Sequence, residues 1–96
     1  MLTIAIDFDD TLTRDAELWR GFIGSCRSAG YRVLCVTARR DTDDNRETID
    51  SWMHQHGIDL STIYTGLSSK VDHVAKLGLK VDIWIDDDPR KCALGH

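Results

Sequence analysis

Leu2-Thr3-Ile4-Ala5-Ile6-Asp7-Phe8-Asp9-Asp10-Thr11-Leu12-Thr13 sets a short apolar run against three carboxylates within four positions. A run of this length, bounded by acids, reads as a buried strand from Leu2 to Phe8. The pattern returns near the other end, where Val81, Ile83 and Ile85 alternate and run into Asp86-Asp87-Asp88. Two more apolar segments lie between: Val33-Leu34-Cys35-Val36, which ends on Thr37, and the short Ile63-Tyr64.

The intervening stretches carry helical spacing. From Asp15 to Ala29, the residues Leu18, Trp19, Phe22, Ile23 and Cys26 fall on one face. Thr13 or Asp15 is placed to cap its start, and Gly30 to take the left-handed stop. From Asp44 to His56, Ile49, Trp52 and Met53 point inward, Asp44 and Glu47 have capping-box spacing, and Gly57 closes the helix. Ser68 is placed to cap a third, brief helix that carries Val71, Val74 and Ala75 and stops at Gly78. Strand–helix repeated three times and closed by a strand predicts an α/β fold, with parallel strands joined by right-handed crossovers and helices on both faces.

Composition agrees and excludes other classes. Ninety-six residues, 42% hydrophobic and 29% charged, suit one globular domain over residues 1–96. Net charge is −4, from 12 Lys+Arg and 16 Asp+Glu, which argues against a general nucleic-acid-binding surface. No stretch approaches a membrane span, and Leu2–Ile6 is too short for a signal-peptide core. Cys26, Cys35 and Cys92 are odd in number and lack Cys-x-x-Cys spacing, so a reducing, cytoplasmic setting is expected, with Cys35 in the core. His54, His56, His73 and His96 are read as surface residues; His54 and His56, two apart on a helix, make a poor metal pair.

In a parallel sheet all C-terminal strand ends share one edge, where open α/β sheets bind ligands. If the first and fourth strands are neighbours, six carboxylates meet there, and such a group needs a cation. Oxygen-only ligands of this kind select Mg²⁺. Asp10 and Asp88 are expected mainly to face solvent or to support the other acids.

Four segments together resemble the haloacid dehalogenase-like (HAD) superfamily. Ile4 to Thr13 is similar to its first motif, an apolar strand followed by Asp-x-Asp-x-Thr-Leu. Val33 to Thr37 resembles the second, Lys70 suits the third, and Ile83-Trp84-Ile85-Asp86-Asp87 resembles the fourth. The motifs come in family order and span nearly the whole chain. The resemblance implies a Rossmann-like three-layer sandwich of sheet order 3-2-1-4 and an Mg²⁺-dependent phosphomonoester hydrolase. Asp7 would be the nucleophile, forming an aspartyl-phosphate, and Asp9 the general acid and base. Asp7, the Asp9 backbone carbonyl, Asp86 and Asp87 would hold the metal. Thr37 and Lys70 would bind the phosphoryl oxygens, Lys76 and Lys80 being rivals for the lysine role. Arg39, with Arg40, would contact a nucleotide or polynucleotide phosphate, although solvated arginines are the simpler reading.

Two departures from the family stand out. Asp10 occupies a position where most members have Gly. Neither connection that carries a cap domain in the family has room for one, so an open, capless site with a four-stranded core is expected. The substrate would then be a small phosphate ester or the phosphate end of a larger molecule. A second subunit would be a candidate lid, with Trp84 and Trp19 as candidate interface residues, although Trp19 reads better as core. The alternative is a non-catalytic or regulatory module that binds metal or phosphate on the same fold.

Overall fold

β-Branched Thr3, Ile4 and Ile6 favour extended backbone, and with Ala5 they form β1 (Thr3–Ile6), in which every residue is buried. The computed structural model describes residues 1–88; Cys92 and His96 lie outside them. β1 takes the centre of a parallel sheet, between β2 (Arg32–Thr37) and β4 (Ile83–Ile85), while β3 (Thr62–Tyr64) pairs with β2. The strand order is β3-β2-β1-β4, the predicted 3-2-1-4.

Helices α1 (Ala16–Ser28) and α2 (Asp43–His56) cover one face. There Ile23, Cys26, Ile49 and Met53 pack on Ile4, Ile6 and Cys35. The seven-residue α3 (Lys70–Lys76) covers the other face, with Val74 against Ala5, Leu34 and Val36. This is a three-layer α/β sandwich, and each fully buried Ile or Leu contributes roughly 1.5–3 kcal/mol to it. Trp19 packs on the first cluster and donates its Nε1–H to the Thr11 carbonyl (2.8 Å), while Trp84 is half-buried on the second. Burial pushes the Cys35 thiol up to about 12, as befits a core cysteine. Among the described residues no helix is long and apolar enough to cross a membrane.

Several local expectations need correction. The first strand ends at Ile6, not Phe8. The chain turns at once, with Leu12 N–H donating to the Asp7 carbonyl (3.3 Å) and Thr13 N–H to that of Phe8 (3.2 Å), and enters a 3₁₀ turn at Leu12–Arg14. Leu18 is 59% exposed, because the first turn of α1 projects past strands only three and four residues long. Ile83 is exposed because β4 is an edge strand. Val71 and Ala75 face outward, since Lys70 and Val74 take the inward stripe of α3. His56 is half-buried against Trp52, with ring centroids 4.6 Å apart.

The caps divide in the same way. Asp15 caps α1 by accepting from Leu18 N–H (3.1 Å), which settles the choice against Thr13. Thr42, not Asp44, caps α2 by accepting from Asn45 N–H (3.1 Å), leaving Asp43 and Asp44 in the first turn where the helix dipole favours them. Ser69, not Ser68, caps α3 by accepting from Asp72 N–H (3.4 Å). Ser69→Ala is therefore expected to cost about 1 kcal/mol in urea denaturation, and Ser68→Ala, at an exposed side chain, a few tenths at most.

Asp10 is the one non-glycine residue with positive φ (60°) among those described. Its N–H donates to Thr13 Oγ1 (3.1 Å), which holds the turn. An aspartate tolerates this region better than most residues but still at a cost. Asp10→Gly is expected to raise stability by up to about 1 kcal/mol and Asp10→Val to lower it by about 1–3 kcal/mol. Melting temperatures of the two variants check this.

Candidate active site

Strand register assembles the site. Ile6 pairs with Ile85, and the Asp7 N–H donates to the Ile85 carbonyl (2.9 Å), so Asp7 and Asp86 leave adjacent strands at one level. On the other face the first residue of α3, Lys70, is fully buried and reaches both carboxylates. Its Nζ lies 2.8 Å from Asp7 Oδ1 and 2.5 Å from Asp86 Oδ2. Lys76 is exposed and Lys80 lies near Asp82 (3.7 Å), so of the three rivals Lys70 is the one that meets the acids.

Thr11 Oγ1 donates to Asp7 Oδ2 (3.3 Å) and completes the nest around that carboxylate. Burial pushes the Asp7 carboxyl up to about 6, against the downward pull of Lys70. Burial also works against the Lys70 charge, but the bonds to Asp7 and Asp86 outweigh it and hold the ammonium above the usual lysine value. Lys70 is thus a fixed cation.

Of the six carboxylates expected at one crevice, three come together. Asp7, Asp86 and Asp87 each offer an oxygen, all within 4.8 Å of one another. An all-carboxylate donor set of this size fits a hard divalent cation. The Asp88 N–H supports it by donating to Asp86 Oδ1 (3.0 Å). Asp10 is exposed.

The Asp9 carboxylate is not one of the three clustered acids. Arg39 grips it with two parallel bonds, Nε to Oδ2 (2.9 Å) and Nη2 to Oδ1 (2.8 Å). The same guanidinium donates to Asn45 Oδ1 (3.1 Å) and lies 5.5 Å from the centre of the Phe8 ring. The pairing with Asp9 raises the Arg39 pKa. Arg39 is therefore half-buried and engaged rather than a solvated loop arginine, whereas Arg40 is exposed.

Thr37 ends β2 as a buried residue. Its Oγ1 accepts from Arg39 N–H (3.2 Å), and its carbonyl accepts from Thr65 N–H (2.9 Å) and Thr65 Oγ1 (3.1 Å). A hydroxyl that accepts one bond still has its own proton to donate. Thr65 and Asn45 carried no sequence signal. Thr11 stands four residues after Asp7, a spacing that brings its hydroxyl to that carboxylate.

Among the described residues the sheet edge is open. A 3₁₀ turn alone separates the β1 loop from α1, and α2 alone fills the connection from β2 to β3. A cleft of about 480 Å³ adjoins the triad, with Asp86 and Asp87 in its wall. A hollow of about 560 Å³ around Met53, Ile58 and Leu60 has no member of the site in its lining. Compared with models of known protein families, with curated proteins and with solved structures, the chain matches none.

Proposed function

We propose that this chain is an Mg²⁺-dependent phosphomonoester hydrolase that works through an aspartyl-phosphate on Asp7. One observation carries the reading: a buried carboxylate held by a buried lysine, level with two further carboxylates at the C-terminal edge of a parallel sheet. The resemblance to the HAD superfamily adds the order of the motifs.

Asp7, Asp86 and Asp87 would hold the metal, with the Asp9 carbonyl as the further ligand that the resemblance implies. Bound there, Mg²⁺ neutralises charge on the transferring phosphoryl group. The Asp7 oxygen attacks phosphorus, a P–O bond forms, and the bond to the leaving oxygen breaks. Lys70 Nζ and the Thr37 hydroxyl hold phosphoryl oxygens as charge gathers on them. Water then attacks phosphorus, the Asp7–phosphorus bond breaks, and phosphate leaves with Asp7 restored. Asp9 gives a proton to the leaving oxygen and takes one from the water, which requires Arg39 to let it go. A substrate phosphate is the natural competitor for that guanidinium.

The test is acid-quench trapping with ³²P-labelled phenyl phosphate and Mg²⁺. Label on the Asp7 peptide, formed and discharged within one turnover, is the expected result. No phosphate release from aryl phosphates, nucleotides or phosphorylated oligonucleotides would sink the reading. The grip of Arg39 on Asp9 favours one alternative, a module that retains phosphate without turnover. Label on Asp7 that persists for hours would select it. A cytoplasmic, reducing setting suits the two buried thiols, Cys26 and Cys35.

A further inference from the structure

We infer that the cleft beside the triad receives the body of the substrate, and that this body is a planar apolar ring, neutral or cationic, rather than a polyanion. The inference rests on the hydrolase reading above and names its substrate class.

The cleft is a shallow, open hollow of about 480 Å³, enough to seat a ring against one wall. Its apolar walls come from Leu18 and Trp19 on α1 and Ile85 on β4, and its exposed lining is mostly apolar. Trp19 is a rigid wall. Its Nε1–H is tied to the Thr11 carbonyl (2.8 Å), and its ring meets Phe22 edge-on, with centroids 5.5 Å apart. Leu18 presents an exposed side chain on the same helix turn. One exposed leucine is ordinary, but here it lines a hollow that ends at two of the three triad carboxylates. The ester group of a phosphate held at Asp7 is proposed to lie in this cleft, beside Asp86 and Asp87.

Charge decides what that group is. Among the described residues, Asp10, Asp15, Asp86 and Asp87 line the cleft against one cation, Arg14. Even with Asp86 and Asp87 neutralised by a divalent ion, two carboxylates face one guanidinium. Asp10 is held at this position by its left-handed backbone and the bond to Thr13. Arg39, the side chain expected to meet a polyanion, is not in the lining of this cleft, and the phosphate undergoing transfer is what would draw it from Asp9. A second phosphate therefore finds repulsion on the cleft side, while a ring finds tryptophan, leucine and isoleucine.

Two measurements test this on the full chain with Mg²⁺. The first compares kcat/KM for phenyl phosphate, tyramine phosphate, glycerol 2-phosphate, ADP and a 3′-phosphorylated oligonucleotide. Phenyl phosphate is expected to exceed glycerol 2-phosphate about tenfold or more, partly because phenol is the better leaving group, so the share due to the cleft is what Leu18→Asp removes. Tyramine phosphate should at least equal phenyl phosphate, with ADP and the oligonucleotide lowest. Leu18→Asp should cut the phenyl-to-glycerol ratio about tenfold, and Leu77→Asp, at an exposed leucine outside the cleft, should leave it unchanged. A ratio near one, a ratio indifferent to Leu18→Asp, or an oligonucleotide as the best substrate would overturn the inference.

The second measurement is calorimetric binding of benzylphosphonate against methylphosphonate, which needs no turnover. Tighter binding of the benzyl compound, lost in Leu18→Asp, supports the cleft even if no ester is hydrolysed, and that result would count against the hydrolase reading alone. Hydrolysis with no ring preference in either measurement would count against the cleft alone.

Discussion

Lys70→Met is expected to destabilise the metal-free protein by about 3–5 kcal/mol at pH 8, the cost of stripping a buried charge of its partner. Methionine nearly matches the lysine stem in volume, so the loss comes from charge rather than from a cavity. The Asp7 and Asp86 side chains are only 5% and 3% exposed, and without the ammonium they face each other in a poorly solvated space. For a domain of ordinary stability, about 5–15 kcal/mol, that loss approaches unfolding. The sign with pH follows: in the variant the carboxyls take up protons instead, so the deficit shrinks toward pH 5 and grows toward pH 8. Millimolar Mg²⁺ should recover part of it, because a divalent ion restores positive charge to the triad. Urea denaturation at both pH values, with and without Mg²⁺, measures this. An equal deficit at pH 5 and pH 8 would make Lys70 a packing residue only.

Asp7→Asn is expected to lower kcat by roughly 10³-fold or more, since an amide oxygen cannot form the acyl phosphate on which the proposed route depends. Its stability should move the other way. In the wild-type protein without metal, burial holds the folded Asp7 carboxyl near about 6, above the ordinary 3.8. The native state therefore binds a proton that the unfolded chain has already released, and the stability from this group is complete below about pH 4 and lost as pH rises toward 6. Asparagine has no proton to lose, so the variant should show a flatter profile over that window and be no less stable than wild type at pH 7. Steady-state kinetics and melts between pH 4 and 7 check both halves. A variant that keeps its kcat would remove Asp7 from the chemistry, and one that keeps the slope would move the titration elsewhere.

The topology could be read from the chain because its signals agree with one another. Four apolar runs separated by amphipathic stretches admit few sheets, and acids at the ends of the first and last runs gain a purpose only if those strands are neighbours. The register of Ile6 with Ile85 places Asp7 level with Asp86, as that argument requires. What could not be read was decided by contacts between distant residues. Nothing near Asp9 announces that Arg39, thirty positions away, will hold its carboxylate. Lys70 pulled the inward stripe of α3 onto itself, because two buried acids outbid the apolar Val71 and Ala75. Leu18 fits the apolar face of α1 by spacing, yet its exposure depends on where neighbouring strands stop. Asp15 and Gly57 cap as their spacing suggests, whereas the N-caps of α2 and α3 fall two and one positions from Asp44 and Ser68, where two good capping residues stand close together.

β4 is three residues long and, among the described residues, holds to the sheet through β1 alone. Such a strand is where transient detachment is cheapest, and its amides should exchange with solvent well before those of β1 and β2. Yet it delivers Asp86 and Asp87, which an ion would tie back to Asp7 on the central strand. Bound Mg²⁺ would act as a clasp across the β1–β4 seam, and occupancy of the triad should be visible in deuterium uptake at Ile83–Ile85, falling as the ion is titrated in, before any substrate is added.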